Sequence, residues 1–307
     1  MNPSFHSHFY HQVSWKDLDQ KANQSLVSRA LQEDLEGLGF SAERIHGDAT
    51  SELFLSYSQN ARAKIVAREH VTVAGIPLIP SILKEVDEGL QCEELVEDGT
   101  QVPSGGTLAR ISGPASSLFT VERTLLNFIQ MLSGIATTTS SYVSALGNSS
   151  TRLLDTRKTP PGYRALCKYA VAAGGGWNHR LGLYDRVMIK DNHLATLGGA
   201  AEFLQAVKAS RKKRPDLPIE VEIDHLNQLP KVLRAEPDVI LLDNFNKDEL
   251  SEAVATIGRA ALTEASGNIM LESLPALADL GLDFISTGAT VHRSRWVDVG
   301  LDIESWS

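Results

Sequence analysis

Apolar positions in the first part of the chain recur with changing period. Leu18, Leu26, Val27, Leu31 and Leu35 fall at roughly helical spacing and predict a helix over 15–37. Residues 61–73, β-branched at both ends, predict a strand. A helix over 80–88 follows. The run Glu93 to Glu97, then Asp98-Gly99, Pro103 and Gly105-Gly106, predicts strands joined by tight turns. No lysine sits at a hairpin tip, so this region does not read as a swinging-arm carrier. Residues 117–133 predict a long helix with Leu118, Leu125, Phe128 and Leu132 on its apolar face.

From residue 152 the rhythm alternates. Strands are predicted at 153–156, 186–190, 219–223, 239–242, 261–264 and 283–286, and helices at 164–173, 200–212, 227–235, 248–259 and 274–280. Six β/α units fit a parallel barrel or an open doubly wound sheet. Polar residues choose between them: Asp155-Thr156-Arg157, Lys190, Glu222, Asp243, Glu264 and Thr287-Gly288 all fall near C-terminal strand ends. In a barrel those ends meet at one mouth, whereas an open sheet concentrates chemistry at one switch point. Six units fall short of eight, so closure is expected to be incomplete.

Charge sharpens this picture. The 307 residues carry a net −9, yet Arg152 to His193 holds eight basic and three acidic residues, a local +5. A basic centre in an acidic chain suggests a pocket for a small polyanion and disfavours charge-driven nucleic-acid binding. Arg157-Lys158 and His179-Arg180 lie beside turn residues and are the candidates for that pocket. Arg164 and Lys168, four apart on a predicted helix, read instead as solvated face charges. The two cysteines, Cys92 and Cys167, exclude a disulfide scaffold and a thiolate zinc site. No stretch is apolar enough to span a membrane and residues 1–14 lack an apolar signal core, so a cytosolic address is expected.

Phosphate-loop, nucleophile-elbow and zincin motifs are absent. His6, His8 and His11 suggest a metal tract, but an N-terminal arm is the simpler reading. Gly174-Gly175-Gly176 alone reads as a helix C-cap, although Asn178, His179 and Arg180 place donors on that turn. Ser266-Gly267 and Gly288-Ala289 follow the last two strands, a common phosphate cradle in barrels. Glu222 and Asp243 admit two readings, a structural ion pair or a site for Mg²⁺ or a developing cation.

Several longer words occur in one order: Glu122-Arg123-Thr-Leu-Leu-Asn127, Leu132-Ser-Gly-Ile-Ala-Thr137, Asp155-Thr-Arg-Lys-Thr159, Gly174-Gly-Gly-Trp-Asn-His-Arg-Leu-Gly182 and Ile189-Lys-Asp-Asn-His193. Glu220-Val-Glu222, Leu242-Asp-Asn244, Glu264-Ala-Ser-Gly267 and Ser286-Thr-Gly-Ala289 follow. Over nearly its whole length the chain resembles the quinolinate phosphoribosyltransferase family. The resemblance implies an incomplete α/β barrel over 125–292. Beside it would lie an N-terminal α/β sandwich over 1–124, completed by the returning tail 293–307. It also implies a homodimer with shared active sites. Three features depart from the family pattern: Asn268 where glycine is usual, the segment Ala289 to Ser294, and an apparent insertion over 37–46.

The implied reaction joins quinolinate to phosphoribosyl pyrophosphate, yielding nicotinate mononucleotide, pyrophosphate and CO₂. By residue-wise carry-over, Arg123, Arg157, His179, Arg180 and Lys190 would hold quinolinate, with Arg123 reaching across the dimer. Lys158, Lys190, Glu222 and Asp243 would be catalytic. Lys158, Glu222, Asp243, Ser266, Gly267, Asn268, Gly288 and Ala289 would take phosphoribosyl pyrophosphate. Mg²⁺ would arrive mainly with that substrate and meet Glu222 and Asp243. Rival readings are a paralogue using another pyridine carboxylate and a catalytically silent anion-binding homologue. The silent homologue should lack Lys158, Glu222 or Asp243, and all three are present.

Overall fold

The computed structural model describes residues 11–41, 46–55, 59–190, 193 and 199–306. His6, His8, Asp191, Asn192 and part of the 37–46 insertion lie outside them. The chain packs as two compact units. One comprises Ser14–Thr138 and the tail from Ser294, and the other Thr139–Arg293 with His11–Val13.

The first unit contains α1 (Gln20–Glu36), α2 (Ala49–Phe54), β1 (Asn60–Ala67), β2 (Val71–Thr72), α3 (Ile79–Val86), β3 (Gln91–Glu94), β4 (Gln101–Val102) and β5 (Thr107–Pro114). Asp19 starts α1 by accepting from the N–H groups of Lys21 and Ala22. The strand expected over 61–73 is broken in two, and β2 pairs with β4 instead of extending β1. The tail adds the last strand of the chain, β12 (Val299–Trp306), to give an antiparallel sheet of order β12-β1-β5-β3. Leu301 lies opposite Ile65 and Ile303 opposite Ala63. Glu69 anchors the approach to β12, accepting from Arg295 Nη1 and Asp298 N, both at 2.8 Å.

The helix expected over 117–133 is α4 (Ala115–Ala145), 31 residues long. Gly134, Thr137, Thr138, Thr139, Ser140 and Ser141 are poor helix formers, which hides its second half from propensity. Packing compensates. Ser133 Oγ accepts from Ala74 N at 3.0 Å and Thr137 Oγ1 from Thr72 N at 2.8 Å. A Cβ on Gly134 would lie 2.2 Å from the Arg295 carbonyl oxygen, so only glycine admits the tail there. The division between the two compact units falls inside this helix, at Thr138/Thr139. His11–Val13 pack in the second unit: His11 bridges to Asn178, and Val13 N donates to Asn178 Oδ1 at 2.7 Å.

The second unit alternates β6 (Arg152–Leu154), α5 (Arg164–Ala173), β7 (Val187–Ile189), α6 (Ala200–Lys213), β8 (Ile219–Ile223) and α7 (Leu229–Leu233). It continues with β9 (Val239–Asp243), α8 (Lys247–Ile257), β10 (Leu262–Ser266), α9 (Leu274–Ala278), β11 (Phe284–Ser286) and α10 (Ala289–His292). The parallel strands run β6-β11-β10-β9-β8-β7. The first strand thus closes onto the last, while β6 and β7 stay unpaired with each other, as an incomplete barrel requires. On the open side of β6, Trp177 bridges to Leu154, with Trp177 N donating to Leu153 O at 2.8 Å.

Alternation along the strands sorts the side chains. Ile219, Val221, Ile223, Ile240, Leu242, Ala265 and Ile285 share one core with helix residues such as Phe203, Leu229, Leu250 and Leu274. Val239, Leu262 and Phe284 form a second cluster with Leu154. By the two-residue period of a strand, Glu220, Glu222, Leu241, Asp243, Glu264 and Ser266 share the face of that second cluster. Apolar residues close one end of the barrel interior, and polar ones occupy the rest toward the C-terminal strand ends. Among the described residues no helix is long and apolar enough to cross a membrane.

Candidate active site

Beyond β6 the chain is held by one buried carboxylate. Asp155 Oδ1 accepts from Lys168 Nζ at 2.6 Å and from His179 N at 2.8 Å, while Oδ2 accepts from Asn178 Nδ2 at 2.9 Å. Lys168 also donates to His179 O at 3.1 Å. Its side chain is 2% exposed, so the expectation of a solvated helix-face charge is overturned. Burial pulls the Lys168 pKa below the ordinary lysine value, and the Asp155 charge opposes that pull. This platform fixes the backbone that carries His179 and Arg180.

His179 is itself buried. Its Nδ1 accepts from Arg180 N at 2.8 Å, and its Nε2 faces Arg186 Nη1 at 3.1 Å. Nε2 lies 3.3 Å from Glu220 Oε2 and 3.5 Å from Glu264 Oε1. Arg186 Nη1 donates to Glu220 Oε2 at 2.9 Å. Burial lowers the His179 pKa, so the imidazole is neutral at pH 7. For Glu220, burial alone would raise the pKa; His179 when charged and Arg186 permanently hold it below the carboxylate range. Burial and the neighbouring Glu220 charge push Glu264 well above that range, which favours its protonated form. These three side chains are the one set of His, Cys, Asp or Glu, among the described residues, whose ligand atoms cluster within 4.8 Å. Arg186 supplies the cation that such a set requires.

Two guanidinium groups stand near this cluster. Burial, then the Arg157 charge, lowers the Arg180 pKa, and Arg157 Nε is buried without a hydrogen-bond partner among the described residues. Paired cations with an unused buried donor fit a ligand bearing two carboxylates. Farther round the mouth, Lys190 Nζ lies 2.5 Å from Glu222 Oε2. Asp243 ends β9, its Oδ2 accepting from Asn244 Nδ2 at 2.9 Å. Half-buried carboxylate oxygens of this kind are hard donors suited to Mg²⁺.

A cavity of about 170 Å³ follows the ends of β10 and β11. It brings together the expected Lys158, Ser266, Gly267, Asn268, Gly288 and Ala289, and adds Thr156, Thr287, His292 and Arg293. His292 and Arg293 escaped sequence reading because they fall in a segment that departs from the family pattern. The Ala289 N–H is already turned to Thr287 Oγ1, at 3.1 Å. Glu220, Arg186 and Lys168 were also missed as a set, although Ile219-Glu-Val-Glu-Ile223 carries a usable signal: two acids at strand period among apolar residues. Arg123 is exposed on α4, in the other compact unit. Burial pushes both thiols, Cys92 and Cys167, up to about 12, so neither serves as a nucleophile.

An incomplete parallel barrel whose mouth joins paired guanidiniums, lysine–carboxylate chemistry and a glycine-lined cavity defines an α/β-barrel enzyme for anionic, phosphorylated substrates. Family models described as the C-terminal and N-terminal domains of quinolinate phosphoribosyl transferase match residues 135–302 and 48–133. The chain belongs to the quinolinate phosphoribosyltransferase family. It is 40% identical over 292 residues to a carboxylating nicotinate-nucleotide pyrophosphorylase of Mycobacterium leprae, covering 94% of this chain and 99% of that protein. A probable enzyme of the same name from Bacillus subtilis is 42% identical over 258 residues, covering 84% and 88%. The solved nicotinate-nucleotide pyrophosphorylase of Francisella tularensis matches with a TM-score of 0.84 at 34% identity, over 96% of this chain and all of that one.

Proposed function

We infer that this protein transfers phosphoribosyl from phosphoribosyl pyrophosphate to quinolinate and decarboxylates the product to nicotinate mononucleotide, a step of NAD biosynthesis. The observation that carries the choice of a dicarboxylate is the Arg157–Arg180 pair with its buried, unpartnered Nε. A monocarboxylate would leave one guanidinium unmatched. Arg157, Arg180 and Lys190 hold quinolinate, and His179, engaged at both ring nitrogens, orients Arg180. Lys158 and the Ser266–Asn268 and Gly288–Ala289 turns take the 5′-phosphate.

The bond from the anomeric carbon to pyrophosphate breaks as the pyridine nitrogen supplies the pair for the new C–N bond. Glu222 and Asp243 stabilise positive charge developing on the ribose, and Lys158 and Lys190 offset the negative charge of the departing group. The ring nitrogen is then cationic. As the adjacent carboxylate leaves as CO₂, the electron pair of the broken C–C bond stays on the ring carbon, where the neighbouring cationic nitrogen stabilises it, and that carbon then takes a proton from solvent. Mg²⁺, held by Glu222 and Asp243 together with substrate oxygens, would neutralise pyrophosphate. Chelation by EDTA should therefore abolish turnover while leaving the melting temperature unchanged.

A homodimer in which Arg123 reaches the partner's quinolinate belongs to the same reading. So does a cytosolic address, supported by two unpaired cysteines. The test is incubation with quinolinate, phosphoribosyl pyrophosphate and Mg²⁺, following CO₂ and mononucleotide. Equal turnover of nicotinate would overturn the substrate assignment.

A further inference from the structure

The ends of β9 and β10 are tied together by one amide. Asn244 N donates to Ser266 O at 2.8 Å. The Asn244 side chain points two ways at once: Nδ2 donates to Asp243 Oδ2 at 2.9 Å, and Oδ1 accepts from Asn268 Nδ2 at 3.1 Å. The backbone is shaped for this contact. Asn244 and Asn268 have φ of 60° and 50°, a left-handed conformation that asparagine tolerates better than most residues. Between them, Gly267 has φ of 89°, and a Cβ there would lie 2.2 Å from Asn244 Oδ1. The absence of that Cβ gives the Asn244 amide its seat.

We propose that Asn244 is a positioning residue that couples the Asp243 carboxylate to the phosphate-binding turn, with Asn268 as the second link. This rests on the function proposed above. Donation to Oδ2 fixes the rotation of the Asp243 carboxylate and leaves Oδ1 to face ribose or cation. The amide's other end holds the Ser266–Asn268 turn, so the ribose-facing acid and the 5′-phosphate cradle move as one piece. The anchor acts on the phosphoribosyl substrate alone, because the quinolinate cations Arg157 and Arg180 follow β6 and α5 and make no contact with it in the bonds described.

The test compares Asn244→Gly, Asn244→Asp and Asn268→Gly with the parent protein. Each replacement suits a left-handed backbone, which limits damage to the fold. Calorimetry measures phosphoribosyl pyrophosphate binding with Mg²⁺ and, separately, quinolinate binding; steady-state kinetics and melting follow. Asn244→Gly should weaken phosphoribosyl pyrophosphate binding about tenfold, as expected for one hydrogen bond to a charged group. Asn244→Asp keeps an acceptor for Asn268 but loses the donor to Asp243, so it should fall at least as far. Asn268→Gly should cost about threefold, as for a neutral bond. Quinolinate affinity should stay within about twofold in all three variants. Unchanged phosphoribosyl pyrophosphate binding in both Asn244 variants would overturn the proposal, as would equal loss for both substrates with a lowered melting temperature. Parent protein that binds phosphoribosyl pyrophosphate but forms no mononucleotide would overturn the reaction assignment alone, since the binding comparison still decides the role of Asn244.

Discussion

Glu264 shows how far a single side chain departs from its ordinary chemistry inside this barrel. It is buried beside Glu220, and both burial and that neighbour's charge favour its protonated form. Because its folded pKa lies above the ordinary 4.5, the folded state holds a proton that the unfolded chain releases first. Its favourable contribution is complete below 4.5 and is lost as pH rises through the raised pKa. Glu264→Gln cannot ionise and keeps a donor toward Glu220. The variant should gain stability over the parent as pH rises above 4.5 toward the raised pKa, read by denaturant melts at a series of pH values. A constant difference would show an ionised Glu264. Arg157 tests the site in another way. Arg157→Lys retains the charge but not the two-pronged donor, so kcat/KM for quinolinate should fall by about 1.5–3 kcal/mol in transition-state terms. Unchanged kinetics would place Arg157 outside the site.

At the scale of elements, the Asp155 platform joins β6, α5 and the 174–180 turn. Lys168 projects from α5 into a fully buried ion pair, and Asn178 completes it from the turn. Removing the cation leaves an uncompensated buried carboxylate. Lys168→Met should therefore cost about 3–5 kcal/mol of folding free energy in chemical denaturation. Joint replacement of Asp155 by Asn and Lys168 by Met should recover part of that loss, whereas additive losses would mean that the two do not act as a pair. The sequence showed α5 with its observed bounds, 164–173, and β8 with 219–223, because period and turn residues agree there. It did not show that Lys168 faces inward. A lysine on an amphipathic helix reads as solvated unless the carboxylate it meets is known, and Asp155 lies thirteen residues away on another element.

For the whole molecule, the prediction concerns shared sites. If Arg123 serves the partner, Arg123→Ala and Lys190→Ala are each nearly inactive alone. A mixed dimer of the two has one site with both lesions and one with neither. Random assortment makes half the dimers mixed, so co-refolding should restore about a quarter of sites. No recovery in proven mixed dimers would assign Arg123 to its own chain. The strand–helix alternation, the six-unit barrel and the polar strand ends were all legible in the sequence. A two-residue period fixes which side chains share a face wherever the strand is placed. The residue words marked Lys158, Glu222, Asp243 and the glycine turns for the same reason: they are local. Other features depend on contacts between distant parts of the chain. The second half of α4 is held by Thr72, Ala74 and the Arg295 carbonyl, against its own weak propensity. The raised pKa of Glu264, the inward Lys168 and the Asn244 amide seated on Gly267 each take their character from a neighbour brought close only by folding. Burial and Coulomb interaction act through space, and that proximity is what the tertiary structure alone decided.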